Sequence, residues 1–147
     1  MIKTTLCYLE RDGKYLMMLR NKKSHDINEG KWIGLGGKFE PGETPEECAV
    51  REVREESGLI INSQVFCGIV EFRTTDGHDE DMYLFTSDDF SGEITNCDEG
   101  ELHWIDKDKI FDLALWEGDR IFLKEMLAGR TDIRMTLTYD EDGNLIK

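Results

Sequence analysis

The amino-acid sequence predicts an α/β fold in which helices cover a mixed β-sheet. Short segments rich in apolar and β-branched residues are interleaved along the chain with segments that suit helices. No stretch repeats at a fixed interval and none is of low complexity, which excludes a solenoid. The chain has 147 residues, the usual length of one domain, so we expect a single domain over residues 1–147.

The first part of the chain predicts a β-hairpin, a loop and a glycine bend. Residues 2–9 and 14–20 are apolar or β-prone, and Asp12-Gly13 between them supplies the positive φ that a tight turn needs. Residues 21–31 are polar and predict a loop. The short apolar segment 32–35 then leads into a bend that contains Gly34, Gly36 and Gly37.

A helix is predicted between Thr44 and Gly58. Thr44 can cap its N-terminus, Pro45 suits the first helical position, and Glu47 stands three residues after the cap. Gly58 marks its end. The remaining predicted elements are strands over 64–72, 81–86, 102–105 and 132–139 and helices over 107–113 and 119–127.

The composition excludes several classes of partner. Eighteen Lys and Arg residues against thirty-two Asp and Glu residues give a net charge of −14. This charge repels nucleic acid polymers, whose binding depends on basic residues, but it suits divalent cations that bring in a small phosphate ligand. The four cysteines form no CxxC pair and no apolar run is long enough for a membrane span. We therefore expect free thiols, no membrane partner and a cytoplasmic protein.

Three glutamates of the predicted helix share one face. Glu52, Glu55 and Glu56 are three and four positions apart, so their side chains converge within about 100° of the helix surface. Mg²⁺ takes carboxylate and then phosphate oxygens and would offset their mutual repulsion. Arg51 stands at helical spacing from Glu47 and Glu55 and can neutralise one carboxylate. A solvated charged helix face is the alternative explanation of this pattern.

Residues 37–59 resemble the Nudix box. The family pattern is Gly, five residues, Glu, seven residues, Arg-Glu, an aliphatic residue, any residue, Glu-Glu, any residue, Gly and an aliphatic residue. The segment from Gly37 to Leu59 matches every specified position. The resemblance implies an α/β/α sandwich with a mixed β-sheet and a catalytic loop-helix-loop. It also implies an enzyme that uses Mg²⁺ or Mn²⁺ to hydrolyse a nucleoside diphosphate linked to another group.

The resemblance to the Nudix family further implies which residues bind the metal. By position, Glu52 and Glu56 are ligands together with the Gly36 carbonyl, and Glu55 is a further ligand or the general base. A diphosphate linkage resists an incoming nucleophile because of its negative charge, so the cation would neutralise its oxygens and activate water. The number of metal ions stays open at this point.

Three more residues receive roles from the same resemblance. Glu43 and the catalytic residue Arg51 would brace the loop against the helix. A fourth carboxylate often comes from a distant loop in this family, and we expect it in the acidic turn 98–101. We choose Glu99 as this catalytic and metal-binding residue, with Glu101 as the alternative. A solvated acidic turn would explain the same residues.

Outside the box, the chain resembles the MutT-like 8-oxo-dGTP diphosphatases. The segments that carry this resemblance are Asn21-Lys22-Lys23, 30–38 and 115–119. It implies that Lys23 and Lys38 contact the triphosphate, since a compact cation suits phosphate oxygens. Ordinary surface lysines are the alternative for both.

The same resemblance places base contacts near the start of the last predicted helix. Trp116 can pack against a purine while Asp119 hydrogen-bonds its edge. The alternatives are a tryptophan that packs in the core and an aspartate that caps the helix. Ile33 is the candidate base contact where similar enzymes can have an asparagine, and Gly118 separates two acids, Glu117 and Asp119, that are adjacent there. Both departures bear on the expected preference for oxidised guanine and leave the expected hydrolase chemistry unchanged.

Together these features predict a Mg²⁺-dependent enzyme, monomeric or homodimeric, that cleaves a nucleoside triphosphate to the monophosphate and pyrophosphate, with 8-oxo-dGTP preferred. The alternatives are a nucleotide sugar, a dinucleoside polyphosphate or capped RNA as substrate, and a nucleotide sensor without activity. The absence of a basic tract argues against capped RNA, and the complete set of box carboxylates argues against a sensor. The three histidines have no metal-binding spacing.

Overall fold

The structure is a computed structural model that describes residues 2–21, 30–95 and 100–146. Its elements in chain order are β1 (Ile2–Arg11), β2 (Lys14–Leu19), β3 (Trp32–Ile33), α1 (Pro45–Ser57), β4 (Ile60–Thr74), β5 (Glu80–Ser91), β6 (Glu101–Asp106), a 3-10 helix (Lys107–Asp112), α2 (Glu117–Leu127) and β7 (Ile133–Tyr139). No helix among the described residues is long and apolar enough to cross a membrane.

The strands form one mixed sheet in the order β3-β2-β1-β5-β4-β7, with β6 paired to the other side of β2. The pairs β1–β5 and β4–β7 are parallel, whereas β1–β2, β2–β3, β2–β6 and β4–β5 are antiparallel. The predicted α/β class with a mixed sheet is confirmed.

The glycine bend is wedged between two diverging strands. β1 and β2 pair only next to their turn, where Asp12 and Gly13 have φ values of 54° and 75°. Segment 32–38 fills the space that opens beyond, first pairing with β2 through β3 and then with β1 at residues 35 and 38. At Gly36 a Cβ atom would lie 1.9 Å from the Thr5 carbonyl oxygen, so only glycine fits. The bend is therefore held at a fixed place in the sheet.

Two apolar cores lie on opposite faces of this sheet because successive strand residues point to opposite sides. In β2, Leu16 and Met18 belong to the core under α1, whereas Tyr15 and Met17 belong to the core under α2. Helix α1 contributes Ala49 and Val53 to the first core. Helix α2 and the 3-10 helix contribute Phe122, Leu123, Met126 and Ile110 to the second. The result is three layers, with α1 and α2 on either side of the sheet.

Two of the predicted strands differ from the observed ones in length. β4 begins at Ile60 rather than at residue 64, and β5 continues to Ser91 rather than ending at residue 86. Their pairing contains register shifts between Ile61 and Ser63, between Ser63 and Val65, and between Phe66 and Gly68. Such bulges interrupt the alternation of apolar and polar residues on which the prediction of strand ends depends.

Candidate functional site

Helix α1 is fixed at both ends by its own sequence. Thr44 Oγ1 accepts a hydrogen bond from the Glu47 amide at 3.1 Å, and Glu47 Oε1 accepts one from the Thr44 amide at 2.9 Å. Gly58 ends the helix with φ 82° and donates its amide to the Arg54 carbonyl. The predicted helix limits are confirmed. The limits of the helix, and with them the position of each glutamate along it, are therefore fixed by local contacts.

Arg51 connects the helix to the loop before it. Its Nε donates to Glu43 Oε2 at 2.7 Å and its Nη2 donates to Glu43 Oε1 at 3.0 Å, which is a bidentate pair. Nη2 also donates to the Lys38 carbonyl at 3.0 Å. Nη1 donates to Glu52 at 2.7 Å and to Glu55 at 3.3 Å. One guanidinium thus holds three carboxylates and the backbone that follows the glycine bend.

Two of the glutamates face the glycine bend. The Gly36 amide donates to Glu56 Oε1 at 2.8 Å, and Glu56 is only 8% exposed. A Cβ atom on Gly37 would lie 2.6 Å from the carboxylate of Glu52, so the missing side chain makes room for that group. Glu55 differs, because 59% of its side chain is exposed. The structure therefore brings Glu52, Glu56 and Gly36 together and leaves Glu55 open to solvent.

The electrostatics of this cluster follow from Arg51. The hydrogen bond from Arg51, helped by the Glu40 amide, lowers the pKa of Glu43 to about 2. The same hydrogen bond raises the pKa of Arg51 above its usual range. Burial raises the pKa of the nearby Cys48 thiol to about 11, so this group stays protonated while it contacts Thr5 Oγ1 at 3.4 Å. The Arg51–Glu43 pair is therefore fully charged at neutral pH.

The donor chemistry of this cluster fits a hard divalent cation. Glu52, Glu55 and Glu56 offer only oxygen, as Mg²⁺ prefers; Glu52 and Glu56 lie beside the glycine bend, and Glu55 shares the Arg51 guanidinium with Glu52. Among the described residues, however, no three His, Cys, Asp or Glu side chains are already placed to hold a metal ion. The predicted ligand Glu99 lies outside the described residues. Its alternative, Glu101, begins β6 and interacts with Asn21 and with His103 Nε2.

A second cluster, made up of Lys31, Trp116, Asp119 and Tyr139, lies on the α2 side of the sheet. Lys31 Nζ stands 5.2 Å from the centre of the Trp116 ring, and Tyr139 meets the same ring edge-on at 5.8 Å. The Trp32 amide donates to the Ala114 carbonyl at 3.0 Å, which ties the strand before the glycine bend to the segment that leads into α2. Trp116 also packs against the core under α2, as the core-packing alternative expected.

Asp119 is the buried acid of this second cluster. It is 6% exposed, and burial raises its pKa to about 7 while the Lys31 ammonium opposes the rise. The alternative interpretation of Asp119 as the helix cap is wrong, because α2 begins at Glu117 and Trp116 occupies the cap position. A buried carboxyl whose pKa is displaced this far from its usual value is a candidate functional group.

The remaining predicted contacts are distributed between these clusters. Lys38 is exposed and its carbonyl accepts from Arg51, whereas Lys23 lies outside the described residues. Ile33 packs against the core under α1, not against the core that Trp116 joins. Sequence reasoning gave no role to Lys31, although it stands inside a segment that resembles the MutT-like enzymes. Its contact with Trp116 depends on the insertion of segment 32–38 between strands β1 and β2.

Comparison with known proteins identifies the family. The model of the NUDIX domain family matches residues 2–126. The chain belongs to the Nudix family. The matched range contains the glutamates of α1 and, from the second cluster, Lys31, Trp116 and Asp119.

Individual Nudix proteins resemble the chain over most of its length. The uncharacterized Nudix hydrolase YvcI of Bacillus subtilis (strain 168) is 30% identical over 149 residues, which cover 98% of this chain and 90% of that protein. The oxidized purine nucleoside triphosphate hydrolase of Danio rerio is 35% identical over 125 residues, covering 84% and 78%. The crystal structure of a mutator MutT protein from Bacillus halodurans superposes with a TM-score of 0.90 at 25% identity and covers 100% of this chain and 95% of that one. These likenesses confirm the predicted family and fold.

Proposed function

We propose that this Nudix protein is a Mg²⁺-dependent pyrophosphohydrolase of nucleoside triphosphates, with oxidised purine nucleotides such as 8-oxo-dGTP as preferred substrates. The observation that carries the proposal is the arrangement of Glu52 and Glu56 of α1 against the glycine bend, fixed by Arg51. The oxidized purine nucleoside triphosphate hydrolase of Danio rerio, 35% identical, supports the choice of substrate.

The metal-binding residues in this proposal are Glu52, Glu56 and the Gly36 carbonyl, with Glu99 as a ligand from the distant loop. A bound Mg²⁺ would neutralise phosphate oxygens and lower the pKa of a coordinated water. Glu55 is the most suitable group to take the proton of the attacking water or to act as a further ligand, because most of its side chain is exposed. Arg51 keeps the carboxylates oriented, and Lys38, also exposed, contacts the triphosphate.

The base-binding part of the proposal is the second cluster. Trp116 offers an aromatic face for a purine, and Asp119 stands three residues later in the first turn of α2. A carboxylate accepts hydrogen bonds from the N–H groups of a guanine-type edge, whereas a protonated carboxyl also donates to a ring nitrogen or carbonyl. Because the pKa of Asp119 is about 7, both forms are present at neutral pH.

Release of pyrophosphate from a panel of nucleotides with Mg²⁺ tests the activity. Glu55→Gln and Glu56→Gln are expected to lower turnover about a hundredfold or more, because each removes a carboxylate that binds metal or accepts a proton. Glu46→Gln is the matched control, since it removes the same charge from an exposed position of the same helix. Unchanged turnover in both site variants would contradict the assignment of α1 as catalytic.

The same panel decides the substrate. Faster hydrolysis of a nucleotide sugar or a dinucleoside polyphosphate than of 8-oxo-dGTP would replace the proposed substrate and leave the hydrolase chemistry in place. Binding of nucleotide without any product would identify a sensor. Preferential turnover of 8-oxo-dGTP over dGTP and over pyrimidine triphosphates is the result that the proposal expects.

A further inference from the structure

Tyr139 of β7 carries a hydroxyl group to which the proposed function gives no task. The residue is only 9% exposed, and its hydroxyl oxygen accepts a hydrogen bond from the Gly118 amide at 2.8 Å. That amide belongs to the first turn of α2, where backbone N–H groups have no partner within the helix. The Trp116 side chain makes no capping hydrogen bond there, so Tyr139 supplies one from β7.

The position of the Tyr139 ring is set by its neighbours. Phe72 stacks on this ring with the two centres 6.2 Å apart, and Trp116 meets it edge-on at 5.8 Å. The chain beyond Tyr139 turns back, so that Leu145 pairs with Tyr139 across an antiparallel bridge. The hydroxyl group is therefore held at a defined place beside the start of α2.

Gly118 makes room for this hydroxyl group. A Cβ atom on Gly118 would lie 2.4 Å from the Tyr139 hydroxyl oxygen and 2.8 Å from Leu137 Cδ1. Gly118 also separates two acids, Glu117 and Asp119, that are adjacent in similar enzymes. In this chain, the phenol of β7 occupies the space that a side chain between the two acids would take.

The Tyr139 hydroxyl group also has a hydrogen to donate. A tyrosine hydroxyl both accepts and donates, and among the described residues this one has no acceptor for its own hydrogen. Burial raises the pKa of Tyr139 to about 12, so the group keeps its proton at neutral pH. Buried polar groups in proteins are usually paired, so an acceptor on a bound ligand suits this hydroxyl.

We propose that Tyr139 is a specificity-determining residue of the base site, whose hydroxyl group donates a hydrogen bond to a carbonyl oxygen on the edge of a purine. The inference rests on the proposed function for the ligand and for the place of the base beside Trp116. A guanine-type base presents a carbonyl oxygen where an adenine-type base presents an amino group, which is itself a donor. The hydroxyl group therefore favours the guanine type. It belongs to a neutral side chain that lies beyond residues 2–126, the range that the family model matches.

Binding of the product nucleotide measures this preference without metal or turnover. The dissociation constants of 8-oxo-dGMP and 8-oxo-dAMP are measured by calorimetry on the full chain. Tyr139→Phe removes the hydroxyl group and keeps the ring between Phe72 and Trp116. It should weaken the binding of 8-oxo-dGMP about fivefold and that of 8-oxo-dAMP by less than about twofold. Tyr83→Phe removes a hydroxyl group from a half-buried tyrosine beside the core under α1, and this matched control should change neither constant.

A hydroxyl group that serves only to cap α2 would give a different result. Tyr139→Phe also leaves the Gly118 amide without its acceptor, and a displaced helix start would weaken the binding of both nucleotides by the same factor. An equal loss for 8-oxo-dGMP and 8-oxo-dAMP, or no loss for 8-oxo-dGMP, would overturn the proposal.

A second test examines the contact between Gly118 and Tyr139 itself. Gly118→Ala places a methyl group against the hydroxyl oxygen, so it should remove the preference for 8-oxo-dGMP as Tyr139→Phe does. The double variant should lose no more of this preference than either single variant. Because the hydroxyl oxygen is the nearest atom, Gly118→Ala should also lower the denaturation midpoint less in the Tyr139→Phe background than in the wild type. An equal lowering in the two backgrounds would contradict the place given to the hydroxyl group.

The failure of this inference and the failure of the proposed function give different results. Pyrophosphate release from 8-oxo-dGTP with the same KM ratio to 8-oxo-dATP in Tyr139→Phe and in the wild type would overturn the role of Tyr139 and leave the activity in place. A preference for 8-oxo-dGMP that depends on Tyr139, without pyrophosphate release from any nucleotide, would support the role of Tyr139 and contradict the proposed activity.

Discussion

At the scale of single residues, the buried Asp119 carboxyl opposes folding at neutral pH. An unfolded aspartate has a pKa of about 3.9, whereas burial raises that of Asp119 to about 7 in the folded chain. Between these values the folded state binds more protons than the unfolded state, so stability falls as the pH rises. The deficit is on the order of 4 kcal/mol above pH 7, since each pKa unit corresponds to about 1.4 kcal/mol.

Asp119→Asn should therefore be more stable than the wild type at pH 8, and its advantage should shrink as the pH falls towards 4. Denaturant unfolding at a series of pH values measures this difference. Asp112→Asn, the same change at an exposed carboxylate, should show no comparable trend. A constant difference between Asp119→Asn and the wild type at all pH values would contradict the assigned titration.

At the scale of elements, the two adjacent glycines of the bend are needed for different reasons. Gly36 is required by the fold, and Gly37 is required by the position of the Glu52 carboxylate. A Cβ atom on Gly36 would lie 1.9 Å from a backbone oxygen of β1, which cannot move without disturbing the sheet. On Gly37 it would meet the end of the Glu52 side chain at 2.6 Å, which can rotate away. Gly36→Ala is thus expected to lower the free energy of unfolding by about 2 kcal/mol or more.

Gly37→Ala should keep most of that stability but displace the Glu52 carboxylate, with a loss of Mg²⁺-dependent turnover of about tenfold or more. Chemical denaturation and pyrophosphate release, measured on both variants, test the pair. Equal destabilisation by the two substitutions, or full activity of Gly37→Ala, would show that the bend does not divide its roles in this way.

The elements also show what could be predicted from the sequence. The limits of α1 were predictable because the Thr44 capping box and Gly58 act within a few residues of the chain. The start of α2 was predicted two residues too late because Trp116, which has no side-chain capping bond, occupies the cap position. The first residues of β4 were missed because its bulges break the alternating pattern.

Long-range arrangements were harder to predict. The insertion of segment 32–38 between β1 and β2 depends on pairing with residues far away in the chain, and periodicity carries no such information. The same insertion brings Lys31 to Trp116, which explains why spacing alone gave Lys31 no role. The box glutamates were predictable as a group because a helix places positions three and four apart on one side. The contact between Arg51 and Glu55 follows from the same helical spacing, whereas the hydrogen bond between Glu56 and the Gly36 amide required the fold.

At the scale of the whole molecule, the net charge of −14 repels a substrate that is itself strongly negative. The two clusters divide this difficulty and are joined by the short segment from Lys31, beside Trp116, to Gly36, beside Glu56. The acidic cluster on α1 is suited to a cation. The second cluster offers the base an aromatic ring and an acid that can be neutral. A bound divalent cation would then allow the acidic protein to bind the negatively charged phosphates.

A cation at α1 would bind the folded chain but not the unfolded chain. Mg²⁺ should therefore raise the melting temperature of the protein. At a concentration about tenfold above its dissociation constant, the gain is about 1.4 kcal/mol, or a few degrees for a chain of this length. Screening of the net charge also stabilises an acidic protein, so KCl at equal ionic strength measures that part separately.

Glu56→Gln should lose the excess effect of Mg²⁺ over KCl, since its amide still accepts the Gly36 hydrogen bond but no longer offers a charged ligand. Glu46→Gln, on the exposed side of the same helix, should keep the excess. An equal response of the two variants would locate the cation elsewhere on the acidic surface and separate the Nudix helix from metal binding.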